Sequence, residues 1–313
     1  MVKNILITGG LGFIGSNLAH ESVARGYNVT LFTKTLDKIK NIRGIEDNVL
    51  VVEGDIVDIP ADIVMGQDYI FHCASTSDNY NIHSDPRLDI KVNCMGTISL
   101  LEACREHNPS ARIVYPSTFF VNGNLDELPA TPKSPCDPLG LYPATRLAGE
   151  QFCKIYNKVF NMNNVIARFT NVFGVREQCQ NKKKAAFNYM INLAIDNQEI
   201  PLYNSGEFVR DYIYVSDVVD ACLVLAESGE SGETYYVGRG EQTKFKDLMD
   251  IVVEEAGGGK LEPISPPEFH KNVGITDYWC DNTPLKSLGW SPRVSLREGV
   301  RKTIEYYGDE KNE

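Results

Sequence analysis

Ile5-Leu6-Ile7-Thr8-Gly9-Gly10-Leu11-Gly12-Phe13-Ile14-Gly15 is the stretch on which the reading of the chain turns. Three apolar residues make a short buried strand, Thr8 ends it, and a glycine-rich turn leads straight into a helix predicted over Ser16 to Arg25. Glycines three apart have separate physical tasks. Gly9 permits the tight turn, Gly12 has no Cβ and lets a pyrophosphate approach the backbone, and Gly15 lets the new helix pack closely. The unpaired N–H groups at the start of that helix, where Phe13 and Ile14 stand, face the anion together with the positive end of the helix dipole. Glycine-rich turns alone are common. One that follows a strand and opens a helix reads as a dinucleotide-binding turn.

The 313 residues, 42% of them hydrophobic, suffice for one large domain or two modest ones. A net charge of −11 argues against a general nucleic-acid or anionic-membrane binder. No apolar run approaches the ~20 residues of a membrane span, and the first strand follows Met1 too closely for a signal peptide. Eight scattered cysteines form no CxxC pair and no His/Cys cluster, so they read as reduced, mostly buried thiols. The expectation is a cytoplasmic protein with no metal site.

Further strands are predicted at Asn28 to Phe32, Val49 to Ile56, Tyr69 to Ser75, Arg112 to Thr118 and Asn164 to Phe169. Helical stretches alternate with them, including Asp89 to His107 and Tyr142 to Phe160. This alternation predicts right-handed βαβ units and an α/β fold: a doubly wound parallel Rossmann sheet with a smaller, mostly helical C-terminal substrate domain. The dinucleotide-binding domain is placed at residues 1–174, with a strand near 233–237 returning to it, and the substrate domain at 175–313. At the end of the second strand, where NAD-binding units carry a carboxylate for the ribose hydroxyls, stand Thr33 and Lys34. Two readings follow. Either the added cation takes a 2′-phosphate, which favours NADP(H), or Lys34 is solvated and Asp37 or a backbone group serves NAD.

Tyr142-Pro143-Ala144-Thr145-Arg146 is the central chemical candidate. Positions i and i+4 share a helix face, so the phenol and the guanidinium project together. A nearby cation lowers a tyrosine pKa, and a phenol so tuned can exchange a proton with an alcohol or carbonyl while hydride moves to or from nicotinamide. Ser117 and Thr118, at the carboxyl end of the preceding strand, lie where such sheets bind ligands. His72, His83 and His107 share no spacing and read as structural, and Lys182 to Lys184 read as a solvated face.

Taken together, the chain resembles the extended short-chain dehydrogenase/reductases of the nucleotide-sugar epimerase/dehydratase type. The stretches that carry the resemblance, in order, are Thr8 to Gly15, Gly54-Asp55-Ile56, His72-Cys73-Ala74-Ser75, Asn93-Cys94-Met95-Gly96-Thr97, Ser117-Thr118, Arg168 to Gly174 and Arg210 to Val218. The resemblance implies an NAD(P)-dependent enzyme acting on a nucleoside-diphosphate sugar. Asp55, Ile56 and Ala74 would border the cofactor, and Thr118 would hydrogen-bond the reacting oxygen beside Tyr142. Asn171 and Arg210 would hold the diphosphate, Lys271 would be a second phosphate-binding cation, and Ser75 would touch the sugar or cap a turn. The resemblance also implies a homodimer, through a four-helix bundle of the helices near Asp89 to His107 and Tyr142 to Phe160.

Two departures shape the reading. The family helix carries Lys where this chain has Arg146, a planar and differently hydrated cation. After Thr118, where the family's dehydratases carry Asp-Glu and its uronic-acid decarboxylases a Glu at the second place, this chain has Phe119-Phe120. With no carboxylate there to eliminate water, epimerisation through a transient keto-sugar is the favoured expectation. An NADPH-dependent ketoreductase, and a binding protein that lost turnover through Arg146, are the competing ones.

Overall fold

The computed structural model describes residues 2–76, 81–180, 186–265 and 274–312. Its first strand, β1 (Asn4–Thr8), carries Ile5, Leu6 and Ile7, all fully buried. Side chains alternate across a strand, so Ile5 and Ile7 enter one core with helices Phe13–Ala24 and Val215–Ser228. Leu6 enters another core, with helices Gly96–His107 and Leu141–Phe160. Burial on both faces is what a parallel sheet requires, and it accounts for the unbroken apolar run.

Five further strands follow: β2 (Asn28–Thr33), β3 (Val49–Glu53), β4 (Tyr69–His72), β5 (Arg112–Thr118) and β6 (Asn163–Phe169). The chain then forms the short strands β7 (Asn171–Phe173), β8 (Glu199–Tyr203), β9 (Val209–Arg210) and β10 (Tyr212–Tyr214). It returns to the main sheet with β11 (Thr234–Val237), and β12 (Thr243–Lys244) and β13 (Lys260–Ile264) close the series. The seven-stranded sheet has the order β11-β6-β5-β4-β1-β2-β3, with every neighbouring pair parallel. Strand order reverses between β1 and β4. The crevice at the carboxyl ends of these two strands is the topological switch point, where doubly wound sheets hold their ligands.

The remaining strands pair as β7 with β10, β8 with β13 and β9 with β12. Helices Ala186–Ile195, Phe245–Ala256 and Leu296–Asn312 pack around a third core that includes Ile191, Leu248 and Val300. Helix Val215–Ser228 instead covers the main sheet, as its place in the first core shows.

The strands expected to reach Ile56 and Ser75 end at Glu53 and His72, and two helices start three residues earlier than predicted, for local reasons. The first helix starts at Phe13, because the Ser16 N–H already bonds the Gly12 carbonyl (2.9 Å). The helix expected from Asp89 starts at Pro86, with Asp85 as its cap, and widens into a π turn over Ile90–Met95 before resuming at Gly96.

Candidate active site

A cleft of about 420 Å³ opens at the switch point. Gly9 and Gly12 line it from the turn after β1, Thr33, Lys34, Thr35 and Lys38 from the loop after β2, and Asp55 and Ile56 from the turn after β3. Ala74, Ser75 and Thr76 close it from the loop after β4. Gly9 has φ +66°, a conformation costly for any residue with a Cβ. A Cβ on Gly15 would lie 2.4 Å from the Gly9 carbonyl, so the close approach that Gly15 permits is to the turn itself. Phe13, Ile14 and Gly15 form the first helical turn, whose N–H groups have no intrahelical acceptor.

Lys34 lies 3.3 Å and Lys91 3.4 Å from the Asp55 carboxylate, and the Val57 N–H donates to it as well. Burial works to raise the Asp55 pKa, but the Val57 hydrogen bond and the two lysines hold it below the usual carboxylate value.

Tyr142 and Arg146 share the inner face of helix Leu141–Phe160, one turn apart. Arg146 is buried, its guanidinium carbon sits 4.3 Å from the centre of the Tyr115 ring, and Tyr142 is half-buried beside Thr118. The sequence reading had Arg146 lowering the Tyr142 pKa. The structure corrects the net sign. Burial is the largest influence and raises it, Arg146 and the Thr118 hydroxyl pull it down, Asp89 pushes it up, and the balance is upward.

Two buried polar side chains fix this region. The Thr97 hydroxyl donates to the Asn93 carbonyl (2.6 Å), so its oxygen receives the His72 Nε2 proton, and His72 Nδ1 accepts from Thr8 (2.9 Å). Asn93, within the π turn, accepts from the Ser75 hydroxyl (2.9 Å) and the Thr76 N–H (3.0 Å). Its amide donates to the hydroxyls of Thr76 (2.9 Å) and Thr145 (3.0 Å). Asn93 therefore joins the cleft wall to the helix of Tyr142.

These features fit a bound dinucleotide. The turn tolerates no side chain at Gly9 or Gly15, while a Cβ at Gly12 would meet only the Gly9 carbonyl, which leaves that face open. Arg146 Nη1 is a buried donor with no hydrogen-bond partner among the described residues, a state that ligands ordinarily relieve. The model of the NAD-dependent epimerase/dehydratase family matches residues 5–238. The chain belongs to this family.

Its relatives include proteins named for each of the two reactions of the family name. A putative UDP-glucose 4-epimerase of Methanocaldococcus jannaschii is 28% identical over 96% of this chain and 97% of its own length. The dTDP-glucose 4,6-dehydratase of Streptomyces niveus is 30% identical over 97% of this chain and 93% of its own. The structure of UDP-glucose 4-epimerase from Thermotoga maritima with UDP-glucose superposes with a TM-score of 0.86 at 27% identity, covering 98% of this chain and 99% of that one.

As an epimerase/dehydratase family member, the chain places its other expected site residues unevenly. The Asn171 amide donates to the Asp211 carbonyl (3.1 Å), tying β7 to β10. Arg210 donates to the carbonyls of Val209 (2.9 Å) and Ile275 and lies over the Phe208 ring. Asp211 is fixed by the N–H groups of Arg239 (2.9 Å) and Gly240 (3.0 Å). Lys271 and Lys182 to Lys184 lie outside the described residues. Phe119 is core, packed on Tyr278, and Phe120 is partly buried beside it. Thr35 and Lys38 on the cleft wall, and Asn93 and Tyr115 behind the site, had no sequence-assigned role, while Thr76, expected with Ser75 to touch the sugar or cap a turn, lines the cleft. Two signals pointed to Asn93: its stretch is one that carries the family resemblance, and its interior position in a helix is one that its propensity disfavours.

Proposed function

We propose that the chain epimerises a nucleoside-diphosphate sugar, oxidising one ring hydroxyl to a ketone and returning hydride to the opposite face. The observation that carries this is the grouping of Thr118, Tyr142 and Arg146, joined through Asn93 to the dinucleotide cleft. Phe119 and Phe120, standing where a dehydratase would carry carboxylates, favour epimerisation over elimination.

In this reading Tyr142 Oη takes the proton of the reacting hydroxyl and gives it back on return, with the Thr118 hydroxyl sharing the sugar oxygen. When bound, the dinucleotide supplies the hydride acceptor and, in its oxidised form, a positive charge. Arg146 and Thr118 favour the phenolate against the pull of burial, and Arg146 Nη1 would hold the nicotinamide ribose. Gly9, Gly12, Phe13, Ile14 and Gly15 would hold the pyrophosphate, and Asp55, Ile56 and Ala74 the adenosine. Ser75, Asn171, Arg210 and Lys271 would hold the nucleotide sugar.

A second reading has its own observation. Thr33, Lys34, Thr35 and Lys38 on the cleft wall present hydroxyls and cations where a ribose 2′-phosphate would lie, which suits NADPH and a net ketoreductase. A cytoplasmic homodimer completes the proposal.

The test is incubation with UDP-, GDP-, CDP- and dTDP-sugars, with NAD+ or NADPH, and identification of products by mass spectrometry and NMR. An epimerase returns an isomer of equal mass without net use of dinucleotide, whereas stoichiometric NADPH consumption establishes the reductase. Tyr142→Phe should lower turnover by about 100-fold or more while dinucleotide affinity changes by only a few-fold. Equal losses in both would remove Tyr142 from the chemistry.

A further inference from the structure

We infer that Tyr115 is a positioning residue that seats the Arg146 guanidinium over its ring, making arginine the working cation at this place in the chain. The inference rests on the dinucleotide site proposed above, but not on the epimerase reaction.

Tyr115 is fully buried in β5, two residues before Ser117. Its ring centre lies 4.3 Å from Arg146 Cζ, inside the range in which the negative face of an aromatic ring attracts a cation. The same tyrosine also reaches the backbone of residue 146, where its hydroxyl donates to the Arg146 carbonyl (3.4 Å). The hydroxyl has room because residue 149 is glycine. A Cβ there would fall 2.0 Å from Tyr115 Oη. His72 packs on the ring at 5.8 Å, and burial together with Arg146 keeps its imidazole neutral, so no second cation competes for the seat.

A guanidinium is planar and weakly hydrated, so it can lie on a ring and keep its edge donors for other partners. Here the guanidinium carbon lies over the Tyr115 ring while Nη1 has no partner among the described residues. An ammonium has no flat face and is strongly hydrated, so a lysine here would forgo the platform. The groups acting on Tyr142 are Arg146 from its own helix, Thr118 from β5 and Asp89 from the helix before the π turn. Holding Arg146 still therefore fixes one of the two influences that favour the phenolate.

The experiment replaces Tyr115 with phenylalanine and then with 4-fluoro-, 3,5-difluoro- and 3,4,5-trifluorophenylalanine, which weaken the ring's attraction for a cation at nearly constant shape. NADH and NADPH affinity is read by nicotinamide fluorescence. A graded loss reaching about tenfold at the trifluoro ring is expected, with the acid limb of any turnover profile moving to higher pH in step. Tyr115→Leu should weaken binding in the natural protein and add nothing in an Arg146→Met background. A flat fluorine series, additive losses in the double variant, or tighter NADH binding by Arg146→Lys would overturn the inference. A graded series in a protein that turns over no sugar would sustain it and remove the epimerase reading instead. Failure to bind either dinucleotide would remove both.

Discussion

At the end of β4, His72 shows how strongly this interior controls ionisation. Burial, and the Arg146 charge nearby, lower its pKa from the ordinary 6.5 to about 3. Its two hydroxyl partners fix one neutral tautomer and tie Thr8 of β1 to Thr97 across the switch point. The linkage has a definite sign. Below pH 6.5 the unfolded chain takes up a proton that the folded one refuses, so this contribution is whole above 6.5 and is lost as pH falls toward 3. The loss is about 1.4 kcal/mol per pH unit. Urea unfolding of the natural protein and of His72→Gln, between pH 7 and 5, should show a stability difference that shrinks at about that slope below pH 6. A difference independent of pH would mean that the folded imidazole protonates freely. The pairing of Tyr142 with Arg146 was legible from spacing alone, because a helix repeats every 3.6 residues. The sign of the Tyr142 shift was not, because it depends on how deeply the fold buries the phenol and on Thr118 and Asp89, which lie far from it in sequence.

Among the elements, the helix that begins at Pro86 is decided by its π turn. The sequence shows a long apolar-periodic helix there, and one widened turn leaves no trace in composition. Within it Asn93 is fully buried and meets its whole hydrogen-bonding capacity, two bonds donated and two accepted. Replacing it with leucine leaves the Thr76 N–H without its acceptor and removes one partner from each of the hydroxyls of Ser75, Thr76 and Thr145. The expected cost is about 3 kcal/mol, read from the denaturant midpoint. Limited proteolysis should also cut faster at the loop following β4. Leucine at 93 with unchanged stability and protection would show that the loop is held by other contacts. By contrast, β1 and the turn after it were legible almost to the residue. An apolar triplet buried on both faces and a turn that excludes side chains at Gly9 and Gly15 are local properties, independent of distant packing.

The molecule as a whole leaves four large apolar side chains uncovered on two helices that touch. Helix Leu141–Phe160 turns Arg146, Gly149, Glu150 and Cys153 inward, which leaves Ile155 and Val159 on the opposite side at 52% and 61% exposure. Ile90 and Met95, on the π turn of the neighbouring helix, are also about half exposed. These side chains fall on the two helices through which a four-helix dimer would form, and a dimer would cover them. Association must also overcome the repulsion between two chains of net charge −11. Salt screens that repulsion over a length of about 10 Å at 0.1 M, so the dimer should tighten as salt rises, the reverse of an interface held by ion pairs. Sedimentation equilibrium at micromolar concentration should give twice the chain mass, and Val159→Glu together with Ile155→Glu should give the single chain. A natural protein that stays monomeric in high salt would refute the dimer. All the residues named in the proposed site come from one chain, so the monomeric variant should still bind NADH. Loss of binding on dissociation would mean that the partner shapes the cleft.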